Sequence, residues 1–206
     1  MTVLPRLTIY TILCSFLLIE PLGADFSGSV VSVLDGDTIE VLNGHRANRI
    51  RLSGVDCPEN GQAYGKKAKQ AASALVFGKE VTLRTHGYDK YKRVLGDVIL
   101  PDGMNLNHEL VKQGWCWWYR EYAPGDTELE RLEVEARGAK KGLWVDPAPI
   151  PPWVYRKARK GQALDRSDVV PLGAETVGRC LLMVRHSWGL SRRTPSPLPL
   201  HLTIPS

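Results

Sequence analysis

Acidic side chains stand at two points of the sequence where strands are expected to end. The stretch "VSVLDGDTIEV" places Asp35 and Asp37 on either side of a glycine, at the tip of a predicted hairpin. The stretch "RLSGVDCPE" places Asp56 and Glu59 around Pro58, which cannot donate a hydrogen bond to a neighbouring strand. Carboxylates transfer protons and bind hard cations, and strand ends are common positions for such groups. These acids are therefore the first candidates for chemistry.

Both acidic stretches also have simpler interpretations. Asp35 followed by Gly36 is a common turn sequence, so the hairpin alone would explain this pair. Glu59 and Asn60 precede a predicted helix, so capping of that helix would explain them. The residues by themselves leave these alternatives open.

Arg51 lies on the strand that leads to Asp56 and is a candidate partner for it. Regular alternation places Arg51 on one face of the strand and Asp56 on the other. The two side chains can approach each other only if the chain bends between them. Gly54 is the expected position of that bend.

The hydrophobic pattern predicts an α+β fold built on a small barrel. Residues 28–56 alternate apolar and polar side chains and form a predicted antiparallel meander with Asp-Gly and Asn-Gly turns. A helix is predicted within 61–78, two strands within 79–103, and helices within 105–115 and 126–144. The connections in the meander are too short for parallel crossovers. We therefore predict a five-stranded OB-fold barrel with about three α-helices.

Side chains beyond the acidic stretches carry two further structural predictions. Trp117 and Trp118 are expected to pack in the core, because large aromatic residues dominate protein cores. Glu133 and Arg137 are spaced as an i,i+4 ion pair and are predicted to lie on the solvent face of the last helix.

The composition limits the classes of protein to which the chain can belong. The chain has 206 residues, of which 43% are hydrophobic and 24% are charged, and this predicts one compact domain with extensions. Its formal net charge of +5 favours a polyanionic partner. We found no internal repeat that would indicate a solenoid.

The two ends of the chain differ from the middle. Residues 1–24 combine a basic, an apolar and a small-residue part, which predicts a signal peptide cleaved after Ala24. The apolar run is shorter than the roughly 20 residues of a membrane span, and an uncleaved anchor is the alternative. Residues 159–206 lack periodicity and are predicted to form a weakly ordered tail, which leaves 25–158 as the domain. We expect a secreted or periplasmic monomer without stable membrane association.

Several motifs together resemble those of the staphylococcal (micrococcal) nuclease family. "DGDT", "RLSGVDCPE" and "DKYKR" occur in the family's order and with matching spacing, and the resemblance covers about residues 28–146. "GQAYGKKAKQAASALVFGKEV", "GWCWWYREYAPGD" and "KKGLWVDPAPIPPWVYRK" look like the secreted, thermonuclease-like bacterial branch of that family.

The resemblance implies a calcium-dependent phosphodiesterase that cleaves DNA and RNA and can act as an endonuclease. In that family pattern, Asp37, Asp56 and the backbone carbonyl of Cys57 hold Ca²⁺, which prefers hard oxygen ligands. Asp35 and Thr38 are expected to support these ligands from beside them.

The resemblance also implies a mechanism. Glu59 matches the general base that activates a water opposite the leaving 5′ oxygen. Arg51 and Arg93 match the arginines that grip the phosphate, for which a planar guanidinium suits better than an ammonium group.

Substrate contacts are implied in the same way. Lys90 and Tyr91 match residues that contact a terminal phosphate, and Tyr122 matches a tyrosine on which a base stacks. The chain departs from the better-known secreted enzyme in several places. Lys92 replaces a glycine before the second arginine, Arg120 replaces a second stacking tyrosine, and the loop after Glu59 is several residues shorter.

Cys57, Cys116 and Cys180 remain after the predicted cleavage, in a compartment that permits disulfides. In the family's barrel, the strand end that holds Cys57 runs beside the segment that holds Cys116. The resemblance therefore implies that a disulfide can join these two residues. Alpha carbons more than about 7 Å apart would exclude it.

One alternative from another class is a nucleic-acid-binding OB barrel without catalysis. A binding module has no need for two carboxylates that face a polyanion, because without a cation they would repel it. The set of Asp37, Arg51, Asp56, Glu59 and Arg93 therefore favours the enzyme.

Overall fold

The computed structural model describes residues 25–164. The predicted signal peptide 1–24 and most of the predicted tail, residues 165–206, lie outside the described residues. The strands are β1 (Phe26–Val33), β2 (Thr38–Asn43), β3 (Arg46–Leu52), β4 (Val55–Asp56), β5 (Glu80–Tyr88), β6 (Val94–Ile99) and β7 (Trp117–Trp118). The α-helices are α1 (Gly65–Val76), α2 (Leu106–Lys112), α3 (Thr127–Gly138) and α4 (Pro152–Arg159), and a 3₁₀ helix spans Gly142–Val145.

Five of the strands close a barrel in the order β1-β2-β3-β6-β5. The pairs β1–β2, β2–β3, β5–β6 and β1–β5 are antiparallel, and β3 pairs with β6 in parallel. The parallel pair is possible because α1 and β5 lie between these strands in the sequence. The predicted α+β fold with a five-stranded barrel is confirmed.

The short strands β4 and β7 form a separate two-stranded ladder beside the barrel. In this ladder Val55 pairs with Trp118, and Asp56 pairs with Trp117. The position of Asp56 therefore depends on a segment more than fifty residues further along the chain, which holds the backbone of Asp56 in place.

The described residues contain four α-helices rather than about three. The additional one, α4, begins after Pro151 and has Pro152 in its first turn. Proline is favourable there because its fixed φ suits the first turn and its missing N–H is not needed. The sequence pattern did not predict this helix because prolines usually interrupt helices. No helix within residues 25–164 is long and apolar enough to cross a membrane.

The tryptophan side chains pack in the interior, as predicted. Trp117 is fully buried and Trp118 is nearly so. Trp117 contacts Trp144 edge to face, with ring centroids 4.4 Å apart, and Trp153 at 5.6 Å. These contacts attach α4 and the 3₁₀ helix to β7, which is the strand that supports Asp56.

The prediction that Glu133 and Arg137 pair on the solvent face of the helix was wrong in one respect. The two side chains do pair, at 3.3 Å, but Glu133 is completely buried. Its carboxylate accepts a hydrogen bond from the backbone N–H of Trp118 and from Arg120. A buried carboxylate needs such partners to offset its loss of hydration, and here they join α3 to β7.

Candidate active site

The candidate site is a groove at one end of the barrel, where β2, β3, β4, the turn before β6 and α4 come together. Every residue predicted to take part in catalysis, metal binding or substrate binding lines this groove. They are Asp35, Asp37, Thr38, Arg51, Asp56, Cys57, Glu59, Lys90, Tyr91, Arg93 and Tyr122. The structure thus brings the whole predicted set to one surface.

Asp37 is held in a fixed position at the start of β2. Its Oδ2 accepts a hydrogen bond from the backbone N–H of Cys57 at 2.7 Å. Its Oδ1 accepts one from the hydroxyl of Thr38 at 3.2 Å. The N–H of Cys57 therefore ties the "DGDT" turn to the segment that follows Asp56.

Arg51 reaches both metal-candidate acids. Its Nη2 donates to Oδ1 of Asp56 at 2.9 Å, and its Nη1 lies 3.2 Å from Oδ2 of Asp37. Nη1 also donates to the backbone carbonyls of Leu52 and Val55. Burial would lower the pKa of Arg51, but the charges of Asp37 and Asp56 raise it. The guanidinium is therefore firmly held and charged.

The expected bend at Gly54 is present. Gly54 has φ of +70°, a left-handed conformation that glycine adopts without steric cost. A Cβ at this position would lie 2.9 Å from Cδ1 of Leu129 and 3.2 Å from Cβ of Ala123. The bend brings Asp56 back toward Arg51, which strand alternation alone would have kept apart.

Burial raises the pKa of two aspartates in the site. The pKa of Asp35 is raised to about 7, first by burial and then by the charge of Asp37. Burial also raises the pKa of Asp56 to about 6, although hydrogen bonds and charge from Arg156 and Arg51 oppose the shift. Asp35 accepts a hydrogen bond from the N–H of Asp37, so it both forms the turn and supports its neighbour.

Glu59 does not cap the helix that follows it. Helix α1 begins at Gly65, and its N-cap residue Tyr64 has left-handed φ and provides no side-chain cap. Asn60 instead donates to the carbonyl of Leu34. The capping alternative was wrong for both residues, and Glu59 remains one-third exposed at the edge of the groove.

Arg156 on α4 is a site residue that sequence reasoning missed. Its Nη2 lies 2.7 Å from Oδ2 of Asp56, and its Nη1 lies 3.1 Å from Oδ1 of Asp56 and 2.9 Å from Oε1 of Glu59. Burial would lower the pKa of Arg156, but these two carboxylates raise it. The basic stretch "WVYRKARK" could have indicated it, because the predicted site had more acidic residues than arginines.

Arg93 is positioned by a tight turn. Asp89 accepts hydrogen bonds from the backbone N–H and Nε of Arg93, at 2.9 and 2.8 Å. The Nη1 of Arg93 reaches the hydroxyl of Thr38 at 3.3 Å. Lys92, at the position where the resemblance implies a glycine, has left-handed φ of +61°. The turn therefore keeps a glycine-like backbone without glycine.

The residues predicted to bind substrate lie on the outer part of the groove. Tyr91 and Tyr122 are both 66% exposed, so their rings are accessible to a ligand. The ammonium group of Lys90 lies 5.3 Å from the ring centroid of Tyr91. Tyr122 contacts Tyr119, which stacks in parallel on Trp153 of α4. Burial raises the pKa of Tyr119 to about 12, so its hydroxyl stays protonated.

A disulfide joins Cys57 and Cys116, whose alpha carbons are 4.1 Å apart. The two cysteines follow Asp56 and precede Trp117, so the bond extends the β4–β7 ladder by one pair. A Cβ on Gly36 would lie 2.7 Å from Cβ of Cys57. The disulfide therefore lies directly against the turn that carries Asp35 and Asp37.

The donor set suits a hard cation in its chemistry. Asp37 and Asp56 would supply carboxylate oxygens and Cys57 its backbone carbonyl, and such oxygens match the preference of Ca²⁺. No group of three or more acidic, histidine or cysteine side chains converges as a metal cluster in the described part of the chain. Two carboxylates would therefore hold an ion here, and backbone carbonyl groups and water molecules would complete its coordination shell.

Comparison with known proteins defines the class to which this site belongs. A family model described as "Staphylococcal nuclease homologue" matches residues 49–146, a stretch that includes Arg51, Asp56, Glu59 and Arg93. An uncharacterized endonuclease of Escherichia coli is 48% identical over 135 residues, which cover 66% of this chain and 88% of that protein. The micrococcal nuclease of Shigella flexneri is 42% identical over 149 residues, which cover 68% and 86% of the two chains.

The barrel, the site and these relatives together define a hydrolase of the nuclease class. The chain belongs to the staphylococcal nuclease family. An endonuclease of Haemophilus influenzae is also similar, with 40% identity over 133 residues that cover 64% of this chain and 73% of that protein. Asp37 and Arg156 lie outside the stretch that the family model matches.

Proposed function

We propose that this nuclease is a secreted Ca²⁺-dependent phosphodiesterase that hydrolyses DNA and/or RNA with low sequence specificity, at the 5′ P–O bond. The observation that carries the proposal is the convergence of Arg51, Arg93 and Glu59 with two aspartates, Asp37 and Asp56, on one groove. The formal charge of +5 suits a polyanionic substrate.

The proposed metal site consists of Asp37, Asp56 and the backbone carbonyl of Cys57. A bound Ca²⁺ would polarise the phosphate and offset its negative charge. Two carboxylates close to a phosphodiester would otherwise repel it, which supports a role for a cation between them. Asp35 and Thr38 keep Asp37 in place through the hydrogen bonds described above.

The protein's own groups account for the rest of the reaction. Arg51 and Arg93 present guanidinium groups to the groove, and each is anchored by a carboxylate, so they need little reorganisation to bind phosphate oxygens. Glu59 lies at the edge of the groove as an accessible carboxylate and would take the proton of the attacking water. Tyr91 and Tyr122 offer exposed rings to bases, and such stacking is tolerant of sequence.

The second candidate is a nucleic-acid-binding barrel without catalysis. It would use the same basic and aromatic surface, but it has no need for Asp37, Asp56 and Glu59 beside the arginines. We therefore favour the enzyme. A secreted or periplasmic location and the absence of stable membrane association are further parts of the proposal, and they depend on cleavage after Ala24. A monomeric state is also part of the proposal.

The test is digestion of single-stranded DNA, double-stranded DNA and RNA with Ca²⁺, with Mg²⁺ and with chelator. We expect cleavage with Ca²⁺ and none with chelator. Glu59→Gln should lose most of the activity, whereas Glu130→Gln, on an exposed position of α3, should retain it. Binding without cleavage under all conditions would support the second candidate. Cleavage in chelator would exclude the metal-dependent mechanism.

A further inference from the structure

Two arginines, Arg51 and Arg156, bond the carboxylate of Asp56. The carboxylate of Asp56 accepts a hydrogen bond at Oδ1 from Nη2 of Arg51. It also accepts hydrogen bonds from both terminal nitrogens of Arg156, one on each oxygen, at 3.1 and 2.7 Å. Both oxygens of a proposed metal ligand are therefore bonded to a guanidinium group that comes from α4.

The two arginines differ in how firmly they are held. The side chain of Arg51 is 12% exposed and also donates to two backbone carbonyls. The side chain of Arg156 is 35% exposed, and its terminal nitrogens donate to the carboxylates of Asp56 and Glu59. An ion that approaches Asp56 from the groove would thus meet Arg156 as the group that it can displace.

The charges that line the groove also indicate that Arg156 takes the place of a cation. Four acids, Asp35, Asp37, Asp56 and Glu59, line the inner groove, and Arg51 and Arg156 are bonded to members of this set. Arg93 is paired with Asp89 instead. Arg156 therefore supplies positive charge at the place where a divalent cation would supply it.

We propose that Arg156 is a tethered cation that competes with a divalent metal ion for the carboxylate of Asp56 and so weakens the intrinsic metal affinity of the site. The inference rests on the proposed metal dependence. Arg156 is thus a positioning residue: it holds Asp56 and Glu59 in place when the ion is absent, and it makes metal binding an exchange of one cation for another.

The experiment is calorimetric titration of CaCl₂ into the purified protein and three variants. Arg156→Gln should bind Ca²⁺ about tenfold more tightly, because it removes a charge in direct contact with Asp56. Arg156→Lys keeps the charge but cannot bond both oxygens, and its affinity should lie between the two. Arg159→Gln makes the same charge change at an exposed position of the same helix and should bind like the wild type.

Thermal unfolding provides a second readout and checks that the variants fold. In chelator, Arg156→Gln should melt at a lower temperature than the wild type, because Asp56 and Glu59 lose a partner. Saturating Ca²⁺ should raise its melting temperature by more than it raises that of the wild type.

Each outcome separates this inference from the proposed function. Unchanged or weaker Ca²⁺ binding in Arg156→Gln, with binding intact in the wild type, would overturn the role of Arg156 alone. If Arg156→Lys bound Ca²⁺ with the affinity of the wild type, the positive charge alone would explain the competition. That result would overturn the role of the bonds to both oxygens of Asp56. Failure of the wild type and all variants to bind Ca²⁺ would overturn the proposed metal dependence itself.

Discussion

The guanidinium of Arg51 donates to the carboxylate of Asp56 at 2.9 Å, across a bend at Gly54. The same guanidinium bonds the backbone carbonyls of Leu52 and Val55, on both sides of that bend. Arg51 thus stabilises the bend that brings Asp56 to it. The contact joins the barrel strand β3 to the β4–β7 ladder, and the geometry of the groove depends on it.

We expect Arg51→Lys to lower nuclease activity roughly 100-fold, in the range found when a donor that stabilises transition-state charge is removed. An ammonium group keeps the charge but cannot reach Asp37, Asp56 and the carbonyls together. The measurement is the cleavage rate on double-stranded DNA at saturating Ca²⁺. The control is Arg49→Lys on the same strand, whose side chain is exposed and pairs with Glu40. Wild-type turnover in Arg51→Lys would contradict the argument from geometry.

We expect Gly54→Ala to destabilise the fold and to impair catalysis. Left-handed φ costs a non-glycine residue about 1–2 kcal/mol, and the added methyl group would clash with Cδ1 of Leu129 at 2.9 Å. Urea unfolding and the cleavage rate of the folded protein measure the two effects. Gly103→Ala is the matched control, because Gly103 also has positive φ but no atom lies within 4 Å of the position that its methyl group would take. It should lose stability and keep activity. Equal activity in both variants would show that the bend is not needed.

The ion pair of Asp89 and Arg93 predicts a pH dependence of stability. Burial would raise the pKa of Asp89, but hydrogen bonds from Arg93 and from the N–H of Tyr91 outweigh it and lower the pKa below 3.8. In the unfolded chain Asp89 takes up its proton at a higher pH than in the folded protein. Its contribution to the free energy of unfolding is therefore complete above the ordinary pKa and is lost as the pH falls through the folded pKa.

The measurement is urea unfolding of the wild type and of Asp89→Asn between neutral pH and acid. We expect the wild type to be the more stable at neutral pH and the difference to shrink as the pH falls below 3.8. A difference that is constant over this range would mean that the charge of Asp89 does not contribute to stability.

We expect loss of the Cys57–Cys116 disulfide to reduce stability and activity together. The bond closes a loop with a sequence separation of 59, and removal of such a bond typically costs about 2–5 kcal/mol. It also holds the backbone next to Asp56 against the turn that carries Asp37. Unfolding and cleavage of the double variant Cys57→Ser/Cys116→Ser measure both losses. Dithiothreitol should bring the wild type to the level of the double variant and leave that variant unchanged. Full activity after reduction would exclude a role in positioning Asp56.

Much of the candidate site could be predicted because its signals are local. Asp37 follows a hairpin turn, and Asp56 and Glu59 follow a strand that a proline ends. The turn that carries Arg93 has its own short motif. Even the bend at Gly54 follows from strand alternation, because Arg51 and Asp56 had to meet within five residues. Turn residues and strand alternation located Asp37, Asp56, Glu59 and the bend, whereas their roles and the choice of Arg93 came from the resemblance of these motifs to those of the nuclease family.

Local patterns were sufficient to predict the strands, the hairpins and the positions of the acids, because side-chain periodicity and turn residues act over a few positions, and the resemblance to the nuclease family added the arginine pair. The packing of distant elements determined that Arg156 bonds Asp56 across a separation of 100 residues. It also decided that the Glu133–Arg137 pair is buried rather than exposed. Spacing shows which side chains share a face of a helix, but which face becomes buried, and against what, depends on how distant elements pack.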